Sequence, residues 1–456
     1  MKLDELREKH PRLIYQSYSI QPKENTIDIA FNFLLEPDIF FHPTVVLPIN
    51  GSPDLKAIEN FVFHLGLVEL ISYWKTACPR EIAILPGQLS ADQIDWWHDL
   101  FIHGLGEFFY QNKLDFTAPD FLTLKPATVA ATLPVKPPLH KTGDLILVGG
   151  GKDSIVTLEV MKQSSRRKGT FVMNSRQASF DSIRIAGYEP PLMVKRTIDP
   201  TLLELNRAGY LNGHTPFSAY LAFLGVLVGH LHGYDQIIAS NESSANEQNI
   251  IFHQLKINHQ YSKSFRFEER FRDYCQHYLT ESVQYSSFLR PLLDFQISGI
   301  FSNCTHHHQS FRSCNVNLRE NTWCKKCAKC AFVYLSLFPF LPYDRMLNIF
   351  GEDLYLKPEI AEQIKGLTGI DNYKPFECVG TIEESQVAIA LSIEKYKAMG
   401  KAVPPILSRV AEKTGIGEQV DLTTLVPQVM SQWGQENFLS SEQEHLLKQA
   451  LNAVNV

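Results

Sequence analysis

Asp144-Leu-Ile-Leu-Val-Gly-Gly-Gly-Lys-Asp-Ser154 decides the fold. Four apolar residues in five, Leu145 to Val148, read as a short strand buried on both faces. It runs straight into three glycines and then into a helical pattern. A strand, a tight glycine run and a helix N-terminus form an anion site, because free backbone N–H groups converge there and the helix dipole favours negative charge. Gly149, Gly150 and Gly151 let the backbone approach phosphate oxygens. Lys152 adds a charge, Ser154 a hydroxyl, and Asp153 a carboxylate suited to a phosphate-bound Mg²⁺. The Walker loop needs four residues between its first Gly and Gly-Lys-Ser/Thr, so this is a different loop.

Outward from the loop, Thr170–Met173, Leu192–Lys195 and Gln236–Ala239 read as further strands. Helical patterns separate them, among them 216–232. Strand alternating with helix predicts a parallel sheet covered on both faces, here over residues 140–340. Residues 1–139 read as a separate α+β domain. They contain a half-buried strand at Thr26–Phe33, a long amphipathic helix presenting Ile58, Phe61, Val62, Leu65 and Val68, and a second helix after Ser90 carrying Trp96, Trp97, Phe101 and Ile102. Its aromatic residues are expected in the core. Pro134, Pro137 and Pro138 mark a linker. Residues 341–456 read as mostly helical, with a loop around 374–384.

Composition narrows the class. The chain has 456 residues, 44% hydrophobic and 20% charged, which suits a globular protein of about three domains. Lys plus Arg total 43 against 49 Asp plus Glu, so the net charge is -6. That balance weighs against a nucleic-acid partner. The charged first residues predict no signal peptide, and the longest apolar runs, 217–229 and 331–342, are shorter than the ~18–20 residues that span a bilayer. A cytoplasmic protein without membrane insertion is expected. The oligomeric state is left open.

Eight cysteines are too few for a disulfide scaffold, and four of them fall in Cys314-x9-Cys324-x2-Cys327-x2-Cys330. The short spacings predict a closed, structural four-thiolate zinc site, with an iron–sulfur cluster as the lesser alternative. His306 to His308 are read as loop residues. Three polar runs, 212–216, 240–246 and 258–264, are candidate site-lining loops, the second at the carboxyl edge of a predicted strand. They nominate Asn241, Glu242 and Asn246 for substrate. Arg290 either grips a phosphate or carboxylate or makes an ordinary surface salt bridge.

The loop Gly149–Ser154 resembles the Ser-Gly-Gly-Lys-Asp-Ser pyrophosphate loop of the N-type ATP pyrophosphatases, with Gly149 in place of the first Ser. That resemblance implies a Rossmann-like sheet of the adenine-nucleotide hydrolase type. The cysteine run is similar to the zinc site of 7-cyano-7-deazaguanine synthase. Together with 240–246, 258–263, Ser313-Cys-Asn315, Trp323–Cys330 and Lys374-Pro-Phe-Glu-Cys-Val-Gly-Thr-Ile-Glu-Glu-Ser385, the loop resembles the UDP-N-acetyl-α-D-muramoyl-L-alanyl-L-glutamate epimerase family of peptidoglycan synthesis. The resemblance implies ATP- and Mg²⁺-dependent inversion of a terminal L-Glu through an acyl-adenylate, with release of AMP and pyrophosphate. The partner it implies is a small nucleotide-linked peptide. Inversion needs an acid and a base on two faces. His214, His259, Lys263 and Cys378 are the candidates, and spacing singles out none of them. For Glu377, Glu383 and Glu384, ordering a loop is a sufficient role. A ligase or nitrile-forming synthase on a small carboxylate, and a tRNA-modifying pyrophosphate-loop enzyme, are the alternatives.

Overall fold

The computed structural model describes residues 2–127, 142–174, 176–317, 319–371, 373–416 and 422–455. Five parallel strands form its centre, in the spatial order Gln284–Ser287, Gln236–Ala239, Asp144–Leu147, Lys168–Met173, Leu192–Thr197. In chain order this is fifth, fourth, first, second, third. The direction of winding therefore reverses between Asp144–Leu147 and Gln236–Ala239. In doubly wound sheets such a reversal opens a crevice at the carboxyl ends of the two strands, where ligands bind.

The opening strand shows why both faces are covered. Leu145 packs into one apolar core and Ile146 and Val148 into another on the opposite side. The first core holds the helix Phe217–His232 and the N-terminal region, the second the helix Lys152–Met161 and the C-terminal helices.

The N-terminal region, expected to stand apart, is continuous with the parallel strands in both sheet and core. Thr44–Pro48 pairs antiparallel with Leu192–Thr197, with Val45 opposite Arg196. The sheet then runs on through Thr26–Leu35, Arg12–Pro22, Glu81–Ile84 and Thr123–Pro126, and Ile39–Phe41 pairs with Thr26–Leu35 off this path to make eleven strands. Thr26–Leu35 alternates half-buried and buried along its length, as its sequence predicts. The helix Leu55–Trp74 is not amphipathic in place. It is buried on nearly every side, because it lies between the sheet and the helix Phe217–His232. The predicted proline linker lies outside the described residues. No helix is long and apolar enough to cross a membrane among the described residues.

One ion pair fastens the two regions. Arg196 on the parallel sheet donates through Nε to Glu69 Oε2 (2.7 Å) and through NH2 to Oε1 (2.8 Å), and Glu69 is fully buried. Removing one partner of such a pair strands the other in low dielectric. Arg196→Ala is therefore expected to lower unfolding free energy by about 3–5 kcal/mol in denaturant titration. A change within ~0.5 kcal/mol, the range of an ordinary surface substitution, would show the pair to be unimportant.

The sequence reading missed the strand Gln284–Ser287. It is polar, yet Ser286 and Ser287 are buried, and Ser287 Oγ accepts from Asn241 Nδ2 at 2.9 Å. Its polarity belongs to the site it borders.

Candidate active site

The crevice at the switch point is a cavity. The loop residues Gly149, Gly151, Asp153 and Ser154 line it, facing Ser240 and Asn241 from the neighbouring strand end, with Lys263, Ser313, Asn315, Lys329 and Cys378 closing it. Gly151 caps the helix Lys152–Met161, and Ser154 Oγ accepts from Gly150 N (3.1 Å) while donating to Gly151 O (3.0 Å). Gly150 has φ +81°, and a Cβ there would lie 2.6 Å from backbone atoms of Ala178 and Ser179. A Cβ at Gly149 would meet nothing within 4 Å, so the position that departs from the pyrophosphate-loop pattern has room for a serine.

Lys152 is placed differently from the expectation that it adds charge in the loop. Its ammonium is fully buried and pairs with Asp153 Oδ1 (2.5 Å) and with Asp294. Burial raises the Asp153 pKa, but Lys152 and then Lys329 outweigh it and hold the carboxyl below its usual range. An ionised carboxylate on the cavity wall beside an anion-binding loop fits a phosphate-bound Mg²⁺. Asp294, shut away from solvent beside Asp153, moves in the opposite direction.

On the opposite wall, three segments meet at one imidazole. His259 Nδ1 is hydrogen-bonded to Glu107 Oε2, and its Nε2 lies 3.9 Å from Cys378 Sγ. Glu107, on the short helix Gly106–Gln111, is steadied by Gln111 Nε2 donating to its Oε1 at 2.7 Å. Asn249 ties the other two together. Its Oδ1 accepts from His259 N (2.8 Å), and its Nδ2 donates to Pro375 O (2.8 Å) in the loop that carries Cys378. Burial raises the Cys378 pKa, but Lys263 and His259 bring the thiol down to about 6. His259 is disfavoured as a cation by burial, yet its bonds to Cys378 and Glu107 carry it up to about 9. Each group thus favours the charged form of the other, the thiolate on Cys378 and the imidazolium on His259. His214 packs against His259, ring centroids 4.4 Å apart and planes tilted by 50°, and is kept neutral by burial and by the neighbouring charge of His259. Glu107, His214 and His259 also have metal-ligand donor types within 4.8 Å of one another, but Lys75 and Lys263 act electrostatically on His214, and their charge disfavours a further cation.

The four cysteines of the sequence pattern converge. Their sulfurs lie within 4.8 Å of one another, with Cys324 Sγ and Cys330 Sγ 3.7 Å apart. A tetrahedral ion with Zn–S of ~2.3 Å requires sulfur–sulfur distances of about 3.8 Å. Backbone N–H groups of Asn317 and Cys324 point at Cys314 Sγ, each at 3.4 Å, as suits a thiolate. The ring also shapes the cavity. Ser313 and Asn315 flank Cys314, Lys329 sits between Cys327 and Cys330, and all three line the wall. Lys329 Nζ is bonded to the carbonyl of Cys378.

Of the predicted substrate residues only Asn241 lines the cavity. Asn246 Oδ1 accepts from Phe265 N at 2.9 Å and faces a separate groove, and Glu242 is buried behind the wall. Arg290 does not reach the cavity and makes a salt bridge, but a buried one. It is 1% exposed, binds Glu268 Oε2 through NH2 (2.7 Å), and donates to the carbonyls of Glu242 and Lys263, thereby fixing both site loops. Glu384 orders a loop as expected, accepting from Ser244 Oγ (2.5 Å) and Phe295 N (2.6 Å). The sequence reading missed Glu107, Lys329 and Arg176, the last standing at the cavity after the strand Lys168–Met173. Lys329 was within sight, inside the cysteine run. Glu107 gave no local signal.

A glycine-rich strand–helix loop at the switch point of an α/β sheet, facing a cysteine thiol across a cavity, defines the class only as an α/β enzyme with its site at the strand ends. No solved structure matches the chain closely enough to narrow that class. The sequence families do. The model of the MurL N-terminal domain matches residues 5–288 and that of the MurL C-terminal domain residues 310–420, and the chain belongs to this family. A relative from Salinispora tropica named UDP-N-acetyl-alpha-D-muramoyl-L-alanyl-L-glutamate epimerase is 34% identical over 363 residues, 77% of this chain and 78% of its own. A relative of the same name from Xanthomonas oryzae pv. oryzae is 34% identical over 75% of this chain and 76% of its own.

Proposed function

We propose that the chain is an ATP-dependent epimerase that inverts the terminal L-Glu of UDP-N-acetylmuramoyl-L-Ala-L-Glu to D-Glu in peptidoglycan precursor synthesis. The observation that carries the reading is one cavity lined both by the glycine loop and by Cys378, whose sulfur is paired with His259.

A carboxylate resists loss of its α-proton, because deprotonation would place a second negative charge beside the first. Attack of that carboxylate on the α-phosphorus of ATP, with pyrophosphate leaving, gives an acyl-adenylate. The charge is then gone, and the carbonyl can accept density as an enolate. Here the backbone N–H groups of Gly149–Ser154 receive the phosphates. Mg²⁺, held by Asp153, would supply charge neutralisation on the phosphates. Lys263 and Lys329 add positive charge where the oxyanions develop. Cys378 and His259 handle the acyl group and its α-proton, and water finally releases the nucleotide-linked peptide with D-Glu at its end. Zinc in the cysteine ring is structural in this reading, since four protein thiolates leave no open coordination position.

Pyrophosphate release should depend on the L,L-dipeptide nucleotide and fall by at least about 10²-fold in Asp153→Ala, read by coupled phosphate assay. Release unchanged in the variant would remove the loop from the chemistry. Zinc removal is expected to abolish activity through Ser313, Asn315 and Lys329. One equivalent of zinc per chain should leave with chelation, and pyrophosphate release should fall in step. Full activity of zinc-free protein would contradict this.

The ion pair also sets a pH dependence. kcat/KM should rise as the thiol ionises near pH 6 and fall as His259 loses its proton near pH 9. Glu107→Gln removes a group that raises the His259 pKa, so the alkaline limb should move to lower pH. An unmoved limb would mean that Glu107 does not position His259 for catalysis.

A further inference from the structure

We infer that Cys378 is an acyl-accepting nucleophile: the activated glutamyl carboxyl passes from AMP to its sulfur, and the α-carbon inverts as a thioester. This rests on the adenylating reading above and names an intermediate within it.

The constellation is that of an activated nucleophile. Cys378 Sγ faces His259 Nε2 at 3.9 Å, and the other ring nitrogen is held by Glu107. A thiol paired with an imidazole that is itself oriented by a third group is the signature of covalent catalysis. The three residues come from separate parts of the chain, the helix Gly106–Gln111, the stretch before the turn Tyr261–Lys263, and the loop before the helix Ile382–Ala398. Arg290, Asn249 and Lys329 brace those segments with bonds to backbone atoms. The sulfur lines the same cavity as the phosphate loop.

The alternative use of a cysteine, as one of two opposed thiols passing a proton across the α-carbon, has no second thiol here. Among the described residues Cys378 is the single cysteine on the cavity wall. Cys78, Cys275 and Cys304 are buried in apolar cores, and the remaining four form the ring. Lys263 and His259 beside the sulfur stabilise the thiolate, which weakens it as a base toward carbon. The same stabilisation keeps it ionised and ready to attack an acyl phosphate. A thioester retains the gain from activation, because sulfur donates weakly into the carbonyl and the α-proton stays acidic after AMP has left.

The steps balance. The thiolate forms a C–S bond at the acyl carbon, and the C–O bond to AMP breaks, AMP leaving with the electron pair. The α-proton passes to water, leaving the thioester enolate, and the His259 imidazolium returns a proton to the opposite face and regains one from solvent. Water then forms the new C–O bond, the C–S pair returns to sulfur, and water's two protons pass to solvent.

The test is rapid acid quench of wild-type enzyme with ATP, Mg²⁺ and UDP-N-acetylmuramoyl-L-Ala-L-Glu, read by mass spectrometry of the Cys378 peptide beside AMP and pyrophosphate assays. The expected result is a Cys378 adduct of substrate mass less water, formed as AMP is released and before free D-Glu product. Cys378→Ala should still release pyrophosphate but retain an extractable acyl-adenylate, with AMP release slowed at least 100-fold. An acyl-adenylate that builds up in wild type with Cys378 unmodified, or AMP release in the variant within tenfold of wild type, overturns the thioester and leaves adenylation standing. Absence of pyrophosphate release from wild type overturns both.

Discussion

Cys378→Ala is expected to lower the rate of Glu inversion by at least about 10³-fold, a size typical of removing a catalytic nucleophile or base, while the protein stays folded. The substitution removes one sulfur from a wall otherwise made by Lys263, Lys329, Asn315 and the phosphate loop. The loop that carries Cys378 is secured elsewhere, by Asn249 Nδ2 on Pro375 O (2.8 Å) and by Lys374 Nζ on Glu247 Oε2 (2.6 Å). The loss should therefore appear in kcat, with a melting temperature close to that of wild type. Cys378→Ser separates shape from charge. Its hydroxyl fills nearly the same space but does not ionise near neutrality, so it should be almost as slow as alanine. Inversion by either variant within tenfold of wild type would remove Cys378 from the chemistry.

Gly150→Ala is expected to abolish pyrophosphate release, with a loss of at least about 10²-fold, because a ~1 Å misplacement at a reacting group costs that much. The new Cβ meets backbone at 2.6 Å, at a φ of +81° that L side chains rarely adopt, so the loop must move. The neighbouring Gly149 is the control. A side chain there enters open space, so Gly149→Ala and Gly149→Ser should stay within a few-fold of wild type. Equal damage at both positions would mean that loss of glycine flexibility matters, and not the close approach to Ala178 and Ser179.

The sheet was legible because its signals are local. Asp144–Leu147, Lys168–Met173 and Gln236–Ala239 carry their burial in their own residues, and the glycine loop announces a strand–helix junction. The cysteine ring was legible for the same reason, through spacing alone. Partnership among charges was not. Arg290, Lys152 and Glu242 have residue types that suit a ligand, yet the fold turns Arg290 onto Glu268, Lys152 onto Asp153 and Asp294, and Glu242 behind the wall. Glu107 lies 152 residues from His259 in sequence, and no periodicity encodes that contact. The polar strand Gln284–Ser287 hid because residues that serve the site displaced those that signal a strand. Local physics thus fixed the scaffold and the phosphate loop. Long-range packing assembled the group that faces them.

The central claim is that activation by ATP precedes inversion at the α-carbon. Its most direct measurement is incubation with ATP, Mg²⁺ and UDP-N-acetylmuramoyl-L-Ala-L-Glu in D₂O, followed by hydrolysis, chiral separation of Glu and isotope analysis. The account predicts D-Glu carrying α-deuterium, with AMP and pyrophosphate formed and no inversion when ATP is withheld. Inversion without ATP, or ATP cleavage that leaves L-Glu unexchanged, would contradict it.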